Sequence, residues 1–234
     1  YEPFREATWD EAMDLVASRL KAIRAESGPA ALAGFGSAKC SNEEAYLFQK
    51  VVRAVFGTNN VDHCTRLCHA SSVAALMEGI GSGAVSNVFA DIAHADVAMI
   101  IGTNTTENHP VAATFFKEAA KRGTKLICID PRRPDTADFA THYVRFRPGT
   151  DVAFLNALLH VIIEEGMVDE AFVRDRTSGF EALKATVAKY TPEFSAAICG
   201  VSAEEIRGVA RCYGGAKSAM MFWGMGISQH TTGT

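Results

Sequence analysis

Thiol and imidazole side chains cluster in the first third of the sequence, at Cys64, Cys68 and His69. Two nearby thiols could bind zinc, but a structural zinc site needs a second ligand pair, and no other cysteine forms a CxxC pair. Cys68 precedes a helix predicted over 72–78, whose dipole should favour a thiolate, a soft ligand for transition metals. The adjacent imidazole could accept or donate a proton. Cys68 and His69 are therefore candidates for metal or redox chemistry, the plainer alternative being that the thiols only pack.

Four predicted strand ends carry glycine and small polar or acidic residues, over 102–108, 130–133, 147–151 and 224–229. In a doubly wound sheet, ligands bind beyond the carboxyl ends of the strands, where helix N-termini present free amides. An acid there could bond a ribose or a guanine edge, although each loop could equally be an ordinary α/β turn. Because no GxGxxG follows a strand and no Walker A motif is present, a plain NAD site and a P-loop are disfavoured.

The elements that must position these groups alternate between strand and helix. Continuous apolar runs predict strands over 97–101, 125–129, 143–146 and 219–223. Helical spacing predicts helices over 110–122 and 151–165 and a wholly helical stretch over 167–214. Apolar strands joined by helices indicate a parallel sheet that is covered on both faces. The predicted fold class is α/β, with a doubly wound, Rossmann-like parallel sheet.

The chain is expected to contribute to two domains. Residues 1–64 are interpreted as an α/β segment of a second domain, and residues 65–234 as the doubly wound, dinucleotide-binding domain. In the first segment, capping boxes at Thr8 and Ser41 predict two helix starts. The same segment is predicted to hold a strand over 31–35, a helix end at Gly57 and, from residue 58 to 69, a polar connection.

Composition excludes several classes of protein. The 234 residues are 48% hydrophobic and 21% charged, which is typical of a globular chain. A net charge of −4 gives no basic surface for nucleic acid. No apolar run approaches the ~18 residues of a spanning helix, and six cysteines in this length favour reduced thiols over a disulfide framework. We expect a cytoplasmic location, no membrane contact, and, since Tyr1 is not Met, a segment of a longer polypeptide.

Several motifs together match a known family. They are Thr8-Trp9-Asp10-Glu11-Ala12, Gly57-Thr58-Asn59-Asn60-Val61-Asp62, Cys68-His69 with Ser72-Val73-Ala74, Ser86-Asn87, Asp130-Pro131-Arg132 and Trp223-Gly224-Met225-Gly226. On these motifs the whole sequence resembles the catalytic subunit of molybdenum- or tungsten-dependent formate dehydrogenases, in the molybdopterin oxidoreductase superfamily. The run from Cys64 to Ala70 is most similar to that of the soluble, NAD-linked, multi-subunit enzymes.

The resemblance implies specific roles for residues of this chain. Cys68 would ligate molybdenum or tungsten, and His69 would handle the proton beside it. Ten further residues would contact two pterin guanine dinucleotides: Asn104, Glu107, Asp130, Arg132, Gly149, Thr150, Asp151, Gly224, Met225 and Gln229.

The resemblance also implies a reaction and partners. Formate would be oxidised to CO2, and electrons would pass through iron–sulfur clusters to NAD on separate flavin- and NAD-binding subunits. The cluster ligands would precede Tyr1, and a substrate-binding arginine would follow residue 234. On this basis the segment alone should be inactive.

Three alternatives remain beside formate oxidation. Another enzyme of the superfamily, such as an oxoanion reductase, could also use a cysteine ligand, but the following His69 favours formate. A scaffold relative without a cofactor need not keep the Cys68-His69 pair. A zinc-binding or thiol-based protein lacks support because the second ligand pair is missing.

Overall fold

A computed structural model describes residues 4–234 of the chain. These residues form two compact units, the first ending at Ala70 and the second running from Ser71 to Thr234. The domain boundary predicted between residues 64 and 65 stays a prediction, since a compact unit is not in itself a domain. Within the described range, no helix is long and apolar enough to cross a membrane.

The first unit contains three α-helices and a two-stranded parallel sheet. Its elements are α1 (Trp9–Ser27), a 3-10 turn (Pro29–Ala31), β1 (Gly34–Phe35), α2 (Asn42–Val51), a π-helical turn (Val52–Phe56), β2 (Val61–Asp62) and α3 (Thr65–Cys68). In the sheet, Gly34 pairs with Val61 and Phe35 with Asp62. The Ser41 hydroxyl and the Glu44 carboxylate cap α2 reciprocally, as predicted.

Three predictions in this unit need correction. The strand predicted over 31–35 is only Gly34–Phe35, because Pro29 starts a 3-10 turn that occupies the preceding residues. The connection predicted over 58–69 contains β2 and α3. At the start of α1, the Thr8 hydroxyl accepts a hydrogen bond from the Glu11 amide, but the Glu11 carboxylate pairs with Arg5.

The second unit carries the predicted sheet. Its elements are α4 (Ala70–Ile80), a 3-10 helix (Phe89–His94), β3 (Val97–Ile101), α5 (Thr105–Asn108), α6 (Pro110–Arg122), β4 (Lys125–Ile129), a second 3-10 helix (Asp135–Phe139), β5 (His142–Val144), α7 (Asp151–Glu164), α8 (Glu170–Arg176), α9 (Phe180–Val187), α10 (Pro192–Cys199), α11 (Ala203–Gly214), β6 (Ala219–Trp223) and α12 (Met225–Ser228). The predicted strand over 143–146 is thus shorter and shifted by one residue. The strand ends earlier than predicted because the Arg147 amide donates to the Cys199 carbonyl at 2.8 Å, which draws the backbone toward α10.

The four strands form one parallel sheet with helices on both faces. The strand order is β5-β4-β3-β6, and every neighbouring pair is parallel. Met99 of β3 belongs to a core cluster with Phe154 of α7, whereas Ile100 belongs to a second cluster with Phe116 of α6. Successive side chains of a strand point to opposite faces, so these clusters lie on the two sides of the sheet. The doubly wound α/β fold is confirmed.

The direction of winding reverses between β3 and β6. From β3 the chain builds β4 and β5 on one side, then returns after α11 to place β6 on the other side. Glycines bring the two strand ends into backbone contact there: the Gly226 amide donates to the Gly102 carbonyl at 2.9 Å. Gly102 has a φ of +60°, and a Cβ on it would lie 2.7 Å from the Gly226 carbonyl carbon.

Substitution Gly102→Ala should lower the free energy of unfolding by about 2–4 kcal/mol, since it adds a backbone clash to an unfavourable φ. Gly123→Ala is the matched control, because Gly123 has a φ of +103° but open space around its Cβ position. The control should cost only about 1–2 kcal/mol. Thermal unfolding of the full-length protein measures the loss of stability in each variant. Equal losses of stability in the two variants would contradict the predicted backbone clash at Gly102.

Candidate functional site

A cleft of about 300 Å³ lies at the carboxyl edge of the second unit's sheet. Its walls come from the ends of β3, β4 and β6 and from the loop before α7. Six of its lining residues carry the argument below: Asn104, Asp130, Arg132, Gly149, Asp151 and His230. The cleft therefore lies where winding reverses, the usual ligand position in an open α/β sheet.

Asp151 is the first residue of α7, and its side chain is buried. Its Oδ1 atom has no hydrogen-bond partner among the residues that the structure describes. Buried polar atoms are normally hydrogen-bonded, so this oxygen is available to a donor from a ligand or from water. A ligand with a fixed N–H edge in the cleft would supply one.

Asp130 follows β4, and its Oδ1 atom accepts the Arg132 backbone N–H at 2.8 Å. Burial raises the pKa of this carboxyl, and the bond and charge of Arg132 only partly oppose the rise. The exposed guanidinium of Arg132 lies 3.6 Å from a carboxylate oxygen of Glu107, in α5. The end of β4 thus places a carboxyl of raised pKa beside a cation.

Local hydrogen bonds shape the other predicted cofactor-binding loops. The Asn104 side-chain oxygen accepts from the Thr106 hydroxyl at 2.9 Å, which orients the amide after β3. The Thr150 hydroxyl donates to the Arg147 carbonyl at 2.6 Å, closing the turn that carries Gly149. The Arg147 guanidinium in turn donates to the Ala197 carbonyl at 3.0 Å. These bonds fix the loops before a ligand arrives.

The remaining predicted cofactor-binding residues, Gly224, Met225 and Gln229, surround the short helix α12 directly after β6. They do not line the cleft, and neither do Glu107 and Thr150. Gly226 and His230 from the same segment do. The structure therefore brings five of the ten together in one cleft: Asn104, Asp130, Arg132, Gly149 and Asp151.

Sequence reasoning missed a buried network beside α12. The Trp223 indole N–H donates to the Ser72 hydroxyl at 2.9 Å, and Ser72 is hydrogen-bonded to the Ser228 hydroxyl. The Ser71 hydroxyl donates to the Ser228 carbonyl. These bonds tie the first turn of α4 to the end of β6. The only sequence signal was that Ser72 and Trp223 belong to the matched motifs, and His230 carried none.

In the first unit, Cys68 is the last residue of α3 and is half-buried, while the following His69 is exposed. The preceding loop is held by the His63 ring, whose Nε2 lies 2.7 Å from the Ser37 carbonyl oxygen. Arg66 forms an ion pair with Asp62 at 2.9 Å, which lowers the pKa of that carboxyl. The Cys68-His69 pair thus follows a short, internally bonded helical turn.

The expectation of a thiolate at Cys68 is wrong for this structure. Burial raises the pKa of the Cys68 thiol, as does its hydrogen bond with Cys64, while Lys39 lowers it. The unaided chain therefore favours the protonated thiol, and a bound cation would be needed to favour the thiolate.

The other cysteines and the other side chains that could ligate a metal add little to the candidate site. Cys128 and Cys199 are buried, and burial raises the pKa of Cys128 to about 12. None of the six cysteines, all within residues 4–234, forms a disulfide. No group of three His, Cys, Asp or Glu residues in that range could hold a metal ion. Side chains of the described residues alone therefore do not build a zinc site.

A family model described as molybdopterin oxidoreductase matches residues 2–234, almost the whole chain. The chain belongs to the molybdopterin oxidoreductase family. Membership implies a molybdopterin-bound molybdenum or tungsten cofactor. The residues present fit such a group, since the cleft offers an unpartnered Asp151 oxygen and backbone uncovered by side chains at Gly149 and Gly226.

Curated relatives of this molybdopterin oxidoreductase act on different substrates according to their names. It is 46% identical to the F420-dependent formate dehydrogenase 1 subunit alpha of Methanococcus maripaludis over 97% of the chain and 33% of the relative. It is 46% identical to formate dehydrogenase H of Escherichia coli over 97% and 32%, respectively. The periplasmic nitrate reductase of Desulfovibrio desulfuricans is 40% identical over 97% and 31%. The chain spans about a third of the length of these relatives.

A solved structure matches the molybdopterin oxidoreductase chain closely. Acetylene hydratase from Pelobacter acetylenicus superposes with a TM-score of 0.81 at 29% identity, covering 97% of this chain and 31% of that one. The fold is therefore shared with an enzyme whose name describes a third activity. Within this family the fold does not select the reaction.

Substitution Asp130→Asn should stabilise the cofactor-free protein increasingly as the pH rises. The folded chain holds this proton more tightly than the unfolded chain, so ionisation lowers stability between the unfolded and the higher folded pKa. Above the folded pKa, the full free-energy cost of the ionised carboxyl is present. The substitution removes this cost and keeps a side-chain oxygen that can accept the Arg132 amide. Thermal unfolding from about pH 3 to about pH 8 measures the effect.

The matched control is Asp14→Asn, which removes a negative charge from the exposed surface of α1. An Asp130→Asn protein that is less stable than the parent at every pH would contradict the cost assigned to the buried carboxyl.

Proposed function

We propose that the full-length protein oxidises formate to CO2 at a molybdenum or tungsten centre held by two pterin guanine dinucleotides. The observation that carries the proposal is the pair formed by Cys68, the last residue of α3, and His69, in a chain 46% identical to two proteins named as formate dehydrogenases. A metal-ligating thiol followed at once by a proton acceptor is the residue set that this reaction needs.

Formate oxidation releases CO2, one proton and two electrons. No side chain accepts two electrons, so the bound metal centre supplies that capacity. The Cys68 sulfur is the ligand offered by this chain, and metal binding would hold it as the thiolate against the raised pKa of the thiol. The imidazole of His69, exposed beside it, holds or releases the proton and orients the substrate.

The cleft is proposed to hold a guanosine end of the cofactor. Guanine presents adjacent N–H donors, which suit a carboxylate whose buried oxygen lacks a donor, as Asp151 does. Asp130, which lines the cleft, would accept a hydrogen bond from a ribose hydroxyl, and Arg132 would bring a positive charge near it. Gly149 carries no side chain that would keep phosphate oxygens from the backbone, and the proposed contacts are completed by Asn104, Glu107, Thr150, Gly224, Met225 and Gln229.

Electron transfer is proposed to run through iron–sulfur clusters to NAD, on flavin- and NAD-binding partner subunits in the cytoplasm. The resemblance of the run from Cys64 to Ala70 supports this acceptor. A relative named for F420 shows that formate dehydrogenases of this similarity also use other acceptors. The six cysteines without a disulfide agree with a reducing compartment.

Nitrate reduction is the second candidate, favoured by the 40% identical periplasmic nitrate reductase. It needs oxygen-atom removal from the substrate rather than proton release beside the metal. The adjacent His69 supports formate, because an imidazole can accept the proton that formate oxidation liberates.

The full-length protein should reduce viologen with formate, and Cys68→Ala should abolish that activity. His69→Gln should keep the metal but lower kcat by about 100-fold or more, the usual contribution of a proton-handling group. Cys40→Ser is the control, since this exposed thiol lies outside the proposed site. Nitrate reduction without formate oxidation, at full metal load, would move the assignment to the second candidate.

Expressed alone, residues 1–234 should hold no stoichiometric molybdenum or tungsten and should be inactive. The chain spans only a third of its relatives, so much of the protein around a bis-pterin cofactor would come from other segments. Metal analysis of the purified segment tests this expectation, and one metal atom per chain would contradict it.

A further inference from the structure

Cys64 and Cys68 lie one helical turn apart in the first unit. Cys64 precedes α3 with helical backbone angles, and Cys68 ends the helix. The Cys68 amide donates to the Cys64 carbonyl at 2.9 Å, so the turn is closed by a backbone bond. The two thiols are hydrogen-bonded to each other, and both side chains are only partly buried. The turn therefore presents a thiol pair rather than a lone ligand.

The pair is close to the geometry of a disulfide. Side chains at i and i+4 of a helix have Cβ atoms about 5–6 Å apart, whereas a disulfide needs about 3.5–4.5 Å. Bonding thus requires a contraction of about 1–2 Å. The helix α3 is a single turn of 4 residues, and His69 after it already leaves helical angles, with a φ of −130°. Only one turn has to tighten.

We propose that Cys64 and Cys68 form a reversible disulfide in the cofactor-free protein on reaction with a low-molecular-weight disulfide such as oxidised glutathione. One cysteine thiolate attacks the glutathione disulfide, forming a mixed disulfide and releasing one glutathione. The second cysteine sulfur then displaces the other glutathione and closes the Cys64–Cys68 bond. The pair loses two electrons and two protons, and one glutathione disulfide becomes two glutathione thiols.

The bond is a redox control on cofactor insertion, which rests on the proposed role of Cys68 as the metal ligand. A sulfur held in a disulfide is not a thiolate and does not ligate the metal. The same bond protects Cys68 from oxidation to the sulfinic acid, which most proteins cannot reverse. A disulfide closed over a tight turn is strained and easily reduced, so the ligand is restored under reducing conditions.

Cys40 provides the internal comparison. It is exposed in the same unit, and its thiol donates to the Ser37 carbonyl at 2.9 Å. This bond is to a carbonyl, whereas the Cys64 and Cys68 thiols bond to each other. Cys40 is therefore the exposed thiol of this unit against which the pair is compared.

The test uses full-length protein produced in cells that cannot synthesise the pterin cofactor. The protein is treated with oxidised glutathione, its remaining thiols are alkylated, and it is digested with trypsin. Arg66 lies between the two cysteines, so cleavage there leaves peptides 54–66 and 67–117 joined only by the disulfide. Uncleaved 54–117 lighter by two hydrogens reports the same bond.

We expect the linked peptides in the parent and in Cys40→Ser, and their loss on adding reductant. Cys64→Ser should give no linked peptides and a glutathione adduct on Cys68. Separate adducts on Cys64 and Cys68 in the parent, with no linked species, would overturn the proposal. The peptide result does not depend on metal binding. If Cys68→Ala abolishes formate oxidation but no linked peptides form, only the disulfide proposal fails. If linked peptides form but the protein does not oxidise formate, only the proposed function fails.

Discussion

The backbone contact between the ends of β3 and β6 is the constraint on which the cleft depends. Parallel strands at a reversal point send their following loops in opposite directions, and the space between these loops is the binding cleft. Here the two strand ends approach so closely that Gly102 and Gly226 have no room for side chains. The cleft floor is therefore backbone, with amides and carbonyls at fixed positions, and the selective side chains come from β4 and the start of α7.

Those selective side chains are costly to the protein without its ligand. Asp130 is a carboxyl whose pKa is raised by burial, and Asp151 has a buried oxygen without a partner in the described residues. Both features reduce the stability of the fold without a ligand, and a ligand that donated hydrogen bonds to these two side chains would relieve both. Ligand binding and stability would then be coupled at the same two carboxylates.

Much of the fold could be predicted, because three strands of the second unit read as uninterrupted apolar runs. β3, β4 and β6 have the predicted bounds for this reason. β1 and β2 were poorly predicted because two residues show no period. The raised pKa of Cys68 and the contact of Ser72 with Trp223 depend on residues brought together by folding, which local patterns do not encode. The proposed substrate came from the resemblance, not from spacing.

The place of β6 in the chain has a consequence for synthesis. β3, β4 and β5 follow one another with short connections, whereas five helices, α7 to α11, separate β5 from β6. The Ser218 amide reaches the Asp96 side chain across 122 residues, at the start of the β3–β6 pairing. A growing chain can therefore assemble three strands while the cleft still lacks one wall. The ribosome must release β6 and α12 before the cleft is complete, so a ligand that needs all of its walls can bind only after translation of this region.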